Sequence, residues 1–227
     1  MKQYFLGIEF GSTRIKAVLL DEKHAIVKSG DYTWKSSLEN GVWTYHMEDV
    51  QEGLRTAIRN LGKLPGKISA MGVSGMMHGY LAFDKDWNLL APFRTWQNTM
   101  TGEAADKLTE AFGFNIPQRW SVAHLYQAVL NGEPHVKNIA HVTTLAGYVH
   151  YLLTGENVLG VGEASGMFPI DSETLTYDAA MLDKFDALMA KYGFDWNIRA
   201  VLPEVRTAGQ SAGLLTPSGS EYLGGLL

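Results

Sequence analysis

Tyr4-Phe5-Leu6-Gly7-Ile8-Glu9-Phe10-Gly11-Ser12-Thr13-Arg14-Ile15-Lys16 decides how this chain begins to fold. Tyr4 to Phe10 is a short apolar and aromatic run, the composition of a strand. Gly11-Ser12-Thr13 is a turn signal, and Ile15 to Asp21 reads as a second strand. Ala25 to Trp34 reads as a third. Strands this closely spaced pair as hairpins in an antiparallel meander. A parallel pair needs a crossover of about a dozen residues, so a Rossmann start is excluded. Met47-Glu48-Asp49 places acids at a helix start, and Val50, Leu54, Ala57, Ile58 and Leu61 recur at helical spacing. Pro65-Gly66 ends that helix. Ile68 to Ser74 is expected to be a buried strand, Gly75 to Gly79 a loop, and Tyr80 to Phe83 another short strand. The fold class is α/β with a mixed sheet.

From about Ala91 the pattern changes. Gly102 to Phe112, His124 to Leu130 and Leu145 to Leu153 carry helical periodicity, the last stopping at Thr154-Gly155. A mostly helical insertion over about 91–156 is expected, after which Val158 to Val161 rejoins the sheet. Tyr177 to Tyr192 reads as a further helix, and Thr207 to Leu227 is rich in glycine and serine.

Composition narrows the function. The chain has 227 residues, 46% of them apolar, and a net charge of −5. That balance leaves no electrostatic footprint for nucleic acid or an anionic membrane. Cysteine is absent, which excludes disulfides, thiolate metal sites and a cysteine nucleophile. No apolar run approaches the ~20 residues that span a bilayer. The strand pattern starts at once after Met1-Lys2-Gln3, so a cytoplasmic protein is expected rather than a secreted one.

Four segments could carry chemistry. In Glu9 to Lys16 a carboxylate at a strand end precedes a small-residue turn and a basic residue. Such a turn lets phosphate oxygens approach the backbone. A plain hairpin with Glu9 at its exposed end is the competing reading. It is neither a P-loop nor a GxGxxG fingerprint. Ser74-Gly75-Met76-Met77-His78-Gly79 follows a strand, where ligand loops are common, and His78 stands beside a glycine. A loop histidine bonded to backbone is the alternative. Arg94-Thr95-Trp96-Gln97-Asn98 offers an aromatic face and two amides suited to a sugar, with Trp43 a further aromatic candidate, against core packing for either tryptophan. Gly162-Glu163-Ala164-Ser165-Gly166 sets a carboxylate among small residues, as a general base or as a solvated loop residue.

Together these segments resemble the FGGY carbohydrate kinases, most closely the xylulose kinase branch, of the actin-like ATPase superfamily with a ribonuclease H-like core. Gly7 to Thr13 is similar to the family's first phosphate motif, Ser74 to Gly79 to its Ser-Gly-Gln-Met-His-Gly, and Trp96-Gln97-Asn98 to its Trp-Asn-Asp. Tyr148 to Gly155 followed by Glu163-Ala164-Ser165-Gly166 is similar to a helix ending Leu-Thr-Gly and then Asp-Ala-Ser-Gly. The resemblance implies ATP and Mg2+ as cofactors and a small sugar as acceptor. It implies Glu163 as catalytic base and Glu9 as the carboxylate orienting magnesium. It also implies Gly11, Ser12, Thr13 and Lys16 near the phosphates, and Met77, His78, Trp96, Gln97 and Asn98 in the sugar pocket, with Trp43 beside them.

The sequence departs from the family pattern in three ways. Both family aspartates are glutamate here, at 9 and 163, which lengthens each reach by about 1.5 Å. The Asn-Asp pair reads Gln97-Asn98 and the arginine expected soon after reads Met100, so the pocket is expected to lose charge. Family members have two domains and about twice this length. Residues 1–227 are therefore expected to be the N-terminal half, partnered by an absent C-terminal ATP-binding domain and inactive alone. Oligomeric state is open, a homodimer included. The rival readings are a non-catalytic actin-like sugar-binding or assembly module, and an acetate or glucose kinase of the same superfamily. The Met77-His78 and Ala164-Ser165-Gly166 segments argue against the second rival.

Overall fold

The computed structural model describes residues 2–227. β1 (Gln3–Phe10), β2 (Arg14–Leu20) and β3 (Ile26–Thr33) form the expected antiparallel meander, with Glu9 opposite Lys16 and Ala17 opposite Gly30. Period two puts Tyr4, Leu6, Ile8 and Phe10 on one buried face with Ile15, Ala17 and Leu19. The short hairpin of β4 (Ser37–Glu39) and β5 (Val42–Thr44) turns at Asn40-Gly41, both with positive φ. Helix α1 (Met47–Arg59) then covers the buried face with Val50, Leu54, Ala57 and Ile58. Val50, Leu54 and Ile58 each contribute about 2 kcal/mol of apolar burial, and the Ala57 methyl about 1 kcal/mol. The helix lies very close to β3. A Cβ on Gly30 would stand 2.2 Å from the Ala57 carbonyl oxygen.

After α1 the chain returns as β6 (Lys67–Gly75), parallel to β1, giving the order β3-β2-β1-β6 and the expected mixed sheet. β6 differs from expectation in one respect. It is the edge strand, and Ile68, Met71 and Val73 are only partly buried while Ala70 is exposed. Apolar composition alone predicts full burial. Among the described residues no strand lies outside it, and its free side borders a groove of about 900 Å³.

β7 (Leu81–Phe83) joins two cores. Leu81 and Phe83 pack into the sheet core, whereas Tyr80 and Ala82 point into a helical one. That second core is built from α2 (Gly102–Phe112) and α3 (Ser121–Leu130), through residues such as Leu108, Phe112, Leu125 and Val129. A strand missed in the sequence, β8 (His141–Thr143), pairs with β7. α4 (Leu145–Thr154) returns to the sheet and buries Leu145, Val149 and Leu153. The Thr144 side chain caps it, accepting from Gly147 N–H at 3.2 Å.

β9 (Val158–Gly160) does not rejoin the main sheet as expected. It leads into α5 (Val161–Ala164) and pairs in parallel with β10 (Glu204–Arg206) near the chain's end. Between them, α6 (Ala179–Met189) and α7 (Ile198–Val201) extend the helical core beyond residue 156. The glycine-rich tail closes with α8 (Pro217–Tyr222) against α4, where Gly219 leaves no room for a side chain beside Leu153. Among the described residues no helix is long and apolar enough to cross a membrane.

Candidate active site

The strands β1 and β6 end side by side, Phe10 opposite Gly75, and the Met76 amide donates to the Phe10 carbonyl at 2.8 Å. Two loops therefore leave the sheet together. The Gly11–Thr13 turn closes through Gly11 N–H to the Arg14 carbonyl at 2.9 Å. It is tied from behind. Trp34 Nε1 donates to the Gly11 carbonyl and the Tyr45 hydroxyl to the Ser12 carbonyl, both at 2.7 Å. These bonds occupy carbonyls and leave the Ser12 and Thr13 side chains exposed. A Cβ at Gly11 would stand 3.1 Å from the Arg14 carbonyl, so the tight turn wants glycine.

A cavity of about 400 Å³ opens between the two loops. The structure brings Glu9, Gly11, Ser12, Met77, His78 and Trp96 into its lining, with Ser74 and Arg119. His78 and Gly79 both have positive φ, at 73° and 97°, and His78 lines the cavity. Gly79 lies against Phe93 and the Arg94 carbonyl so closely that a side chain there would clash. Burial pushes the His78 pKa down; a contact with the Gly166 carbonyl at 3.3 Å opposes this, and the Arg119 charge adds to it.

That Gly166 contact joins the fourth motif to the second. A Cβ on Gly166 would lie 2.7 Å from His78 Nδ1 and 3.1 Å from Met77 Cγ. One turn earlier stands Glu163, whose carbonyl accepts from Gly166 N–H at 3.1 Å. Its carboxyl is largely buried, and Oε1 has no hydrogen-bond partner among the described residues. Burial pushes its pKa up to about 7, and the Thr144 hydroxyl draws it only partly back. Glu163 does not line the cavity; its carboxyl lies by the Thr144 hydroxyl at the start of α4.

The other expected residues lie outside the lining. Lys16 reaches across the register to Glu9 at 3.1 Å. Thr13 holds the Trp34 amide through its carbonyl at 3.1 Å. Asn98 is corrected from sugar ligand to internal clamp. It is 3% exposed; its Oδ1 accepts from Trp43 N–H at 2.9 Å and its Nδ2 donates to the Trp43 carbonyl at 2.8 Å. Trp43 is thereby held by its backbone and is partly buried, away from the cavity. Gln97 does not line the cavity either, and its Oε1 is buried without a partner. Trp96, at 44% exposed, is the aromatic that faces the opening.

Arg119 is the residue that sequence reasoning missed. It lies between α2 and α3 in no motif, and the expected loss of pocket charge is offset by its arrival. Among the described residues no group of three ligating side chains could hold a metal, and Glu9 is the one carboxylate among them that lines the cavity. Two other depressions, about 550 Å³ beside Asp84 and Trp196 and about 900 Å³ along β6, include neither Glu9, His78, Trp96 nor Glu163.

Comparison with known proteins gives a consistent result. Residues 4–226 match the profile of the FGGY family of carbohydrate kinases, N-terminal domain. A glycerol kinase of Thermococcus gammatolerans is 25% identical over 230 residues, covering 94% of this chain and 45% of the relative. A xylulose kinase of Lactococcus lactis is 22% identical, covering 81% of this chain and 39% of the relative. The fold matches a gluconate kinase structure from Lactobacillus acidophilus with a TM-score of 0.82 at 20% identity, covering 99% of this chain and 46% of that one. It matches a xylulose kinase structure from the same organism with a TM-score of 0.81 at 20% identity, over 98% and 46% of the two chains. The chain thus spans less than half the length of these relatives.

Proposed function

We propose, since this chain belongs to the FGGY family of carbohydrate kinases and matches its N-terminal domain, that the whole protein phosphorylates a hydroxyl of a sugar or related polyol and that residues 1–227 carry the acceptor side. The observation that carries this is the meeting of the Gly11–Thr13 turn with the Met77–His78 loop around one cavity, with Gly166, one turn beyond the largely buried Glu163, packed against that loop.

Glu163 suits the role of base. A carboxyl whose pKa lies near 7 is about half ionised at neutral pH, as a base must be, and since Glu163 stands outside the cavity lining its side chain must turn toward the acceptor to take the proton of an attacking hydroxyl. Trp96 offers an exposed face to the C–H side of the acceptor, and His78, kept neutral by burial, can both accept from and donate to hydroxyls. The tied-back Gly11–Thr13 turn presents hydroxyls and amides toward phosphate oxygens. Glu9 fits a magnesium ion held by one carboxylate and phosphate oxygens, and Lys16 beside it adds positive charge at the same end. ATP supplies the phosphoryl group, and magnesium neutralises charge on it.

Two measurements test the reading. In a two-domain form, Glu163→Gln is expected to abolish turnover while sugar affinity stays within about threefold. Turnover like wild type would end the assignment of Glu163. Calorimetry on residues 1–227 with a sugar panel is expected to show binding that His78→Ala weakens, with negligible turnover in a coupled assay. A pure assembly module would bind none of the panel.

A further inference from the structure

The cavity is electrostatically uneven. Its one lining carboxylate, Glu9, is matched by Lys16 at 3.1 Å. Its one lining cation, Arg119, has no carboxylate within 4.0 Å among the described residues and donates no side-chain hydrogen bond to them. The other polar lining groups, Ser12, Ser74 and His78, are uncharged or poorly disposed to charge. An unpaired guanidinium at the wall of a concave site is a receptor for a planar anion, because its fork of donors matches a carboxylate in two parallel bonds.

The backbone says which end of the cavity this charge serves. The Arg119 carbonyl accepts from Gly79 N–H at 3.3 Å, and Ser121 Oγ donates to the Gly79 carbonyl. The segment bearing Arg119 is therefore stapled on both sides to the residue that follows His78. It makes no such bond to the Gly11–Thr13 turn. Arg119 belongs to the loop that holds the acceptor, and the phosphate end has Lys16 as its own cation.

We infer that Arg119 is a specificity determinant that makes this pocket select acceptors bearing a carboxylate, namely polyhydroxy acids of the aldonate class, over neutral alditols and ketoses of the same length. This rests on the reading of the cavity as the acceptor site. With the carboxylate on Arg119, the hydroxylated carbons lie along Trp96 and His78 toward Ser12.

Matched pairs test it by calorimetry on residues 1–227: D-gluconate against D-glucitol, and D-xylonate against xylitol, with inorganic phosphate as a separate probe. Each acid is expected to bind about tenfold or more tightly than its alcohol, the worth of one charge-assisted hydrogen bond at a partly open site. That advantage shrinks as salt rises. Arg119→Gln is expected to lower acid affinity about tenfold and alcohol affinity far less, so that the advantage disappears, and Arg119→Lys to keep part of it. The side chain is exposed, so both variants are expected to melt like wild type. Equal or tighter binding of the alcohols overturns the inference and leaves the acceptor pocket standing. So does an acid preference that survives in Arg119→Gln, or a variant that loses phosphate binding alone. Absence of binding by every acid and alcohol overturns the inference, and absence of binding by the sugar panel as well overturns the acceptor pocket too.

Discussion

Gly166→Ala puts the junction of the two acceptor segments under direct strain. The added methyl would sit 2.7 Å from His78 Nδ1 and 3.1 Å from both His78 Cε1 and Met77 Cγ. To restore a 3.4 Å contact the imidazole must retreat by about 0.7 Å. It cannot retreat along its own chain, because Gly79 is wedged against Phe93 and the Arg94 carbonyl. The displacement therefore goes into the cavity. Overpacking of this kind costs about 1–3 kcal/mol of stability. A shift approaching ~1 Å at a reacting group lowers rate by on the order of 100-fold. Thermal melting and sugar calorimetry on this chain, with turnover in a two-domain form, give the three readouts. A double-mutant cycle isolates the cause: in a His78→Ala background the ring is gone, and Gly166→Ala is expected to cost no more than about 1 kcal/mol. An equal cost in both backgrounds, or unaltered binding in the single variant, would refute the contact.

Three further outcomes follow from particular contacts. Glu163 is protonated more readily folded than unfolded, so its contribution is fully present below about pH 4.5 and is lost as pH rises through about 7. Glu163→Gln carries no charge to bury; it is expected to match wild type near pH 4.5 and exceed it at pH 8 by up to about 3 kcal/mol, read as a melting temperature difference that grows with pH. Asn98→Ala leaves Trp43 N–H without its partner and its carbonyl with Thr95 N–H at 3.2 Å alone, and is expected to cost about 1–3 kcal/mol with faster amide exchange across the β4–β5 hairpin. Gly30→Ala forces backbone against backbone at the Ala57 carbonyl, and is expected to cost about 3 kcal/mol or more in chemical denaturation, above Gly62→Ala at an exposed turn.

Elements whose signals are local were legible from sequence. The meander followed from alternation and short turns, and α2 was bounded correctly because Gly113 adopts the left-handed conformation that stops it. β8 was not legible, since His141-Val142-Thr143 is too short for a period and exists only because β7 lies beside it. β6 was over-read, because apolar composition does not distinguish an edge strand over a groove from a central one. The site divides in the same way. As members of one cavity, Glu9, Gly11, Ser12, Met77 and His78 were readable because each stands in a short motif at the end of β1 or β6 or in the loop beyond it, and Trp96 because an aromatic stands there beside two amides.

Asn98 and Arg119 show where that reading stops. Asn98 lies in a sugar-like motif, yet its partner is the backbone of Trp43, 55 positions away. Arg119 lies in no motif, yet the pairing of its carbonyl with Gly79 brings it into the cavity. Both outcomes are decided by backbone hydrogen bonds between remote segments, and these leave no periodicity or composition for a sequence to display. Gly166 is the intermediate case. Its smallness was visible as room near a carboxylate, but the reason for it is steric and belongs to His78. The Glu163 segment and the His78 loop are thus one packed unit, so a substitution at either alters the acceptor pocket and the setting of its carboxyl together.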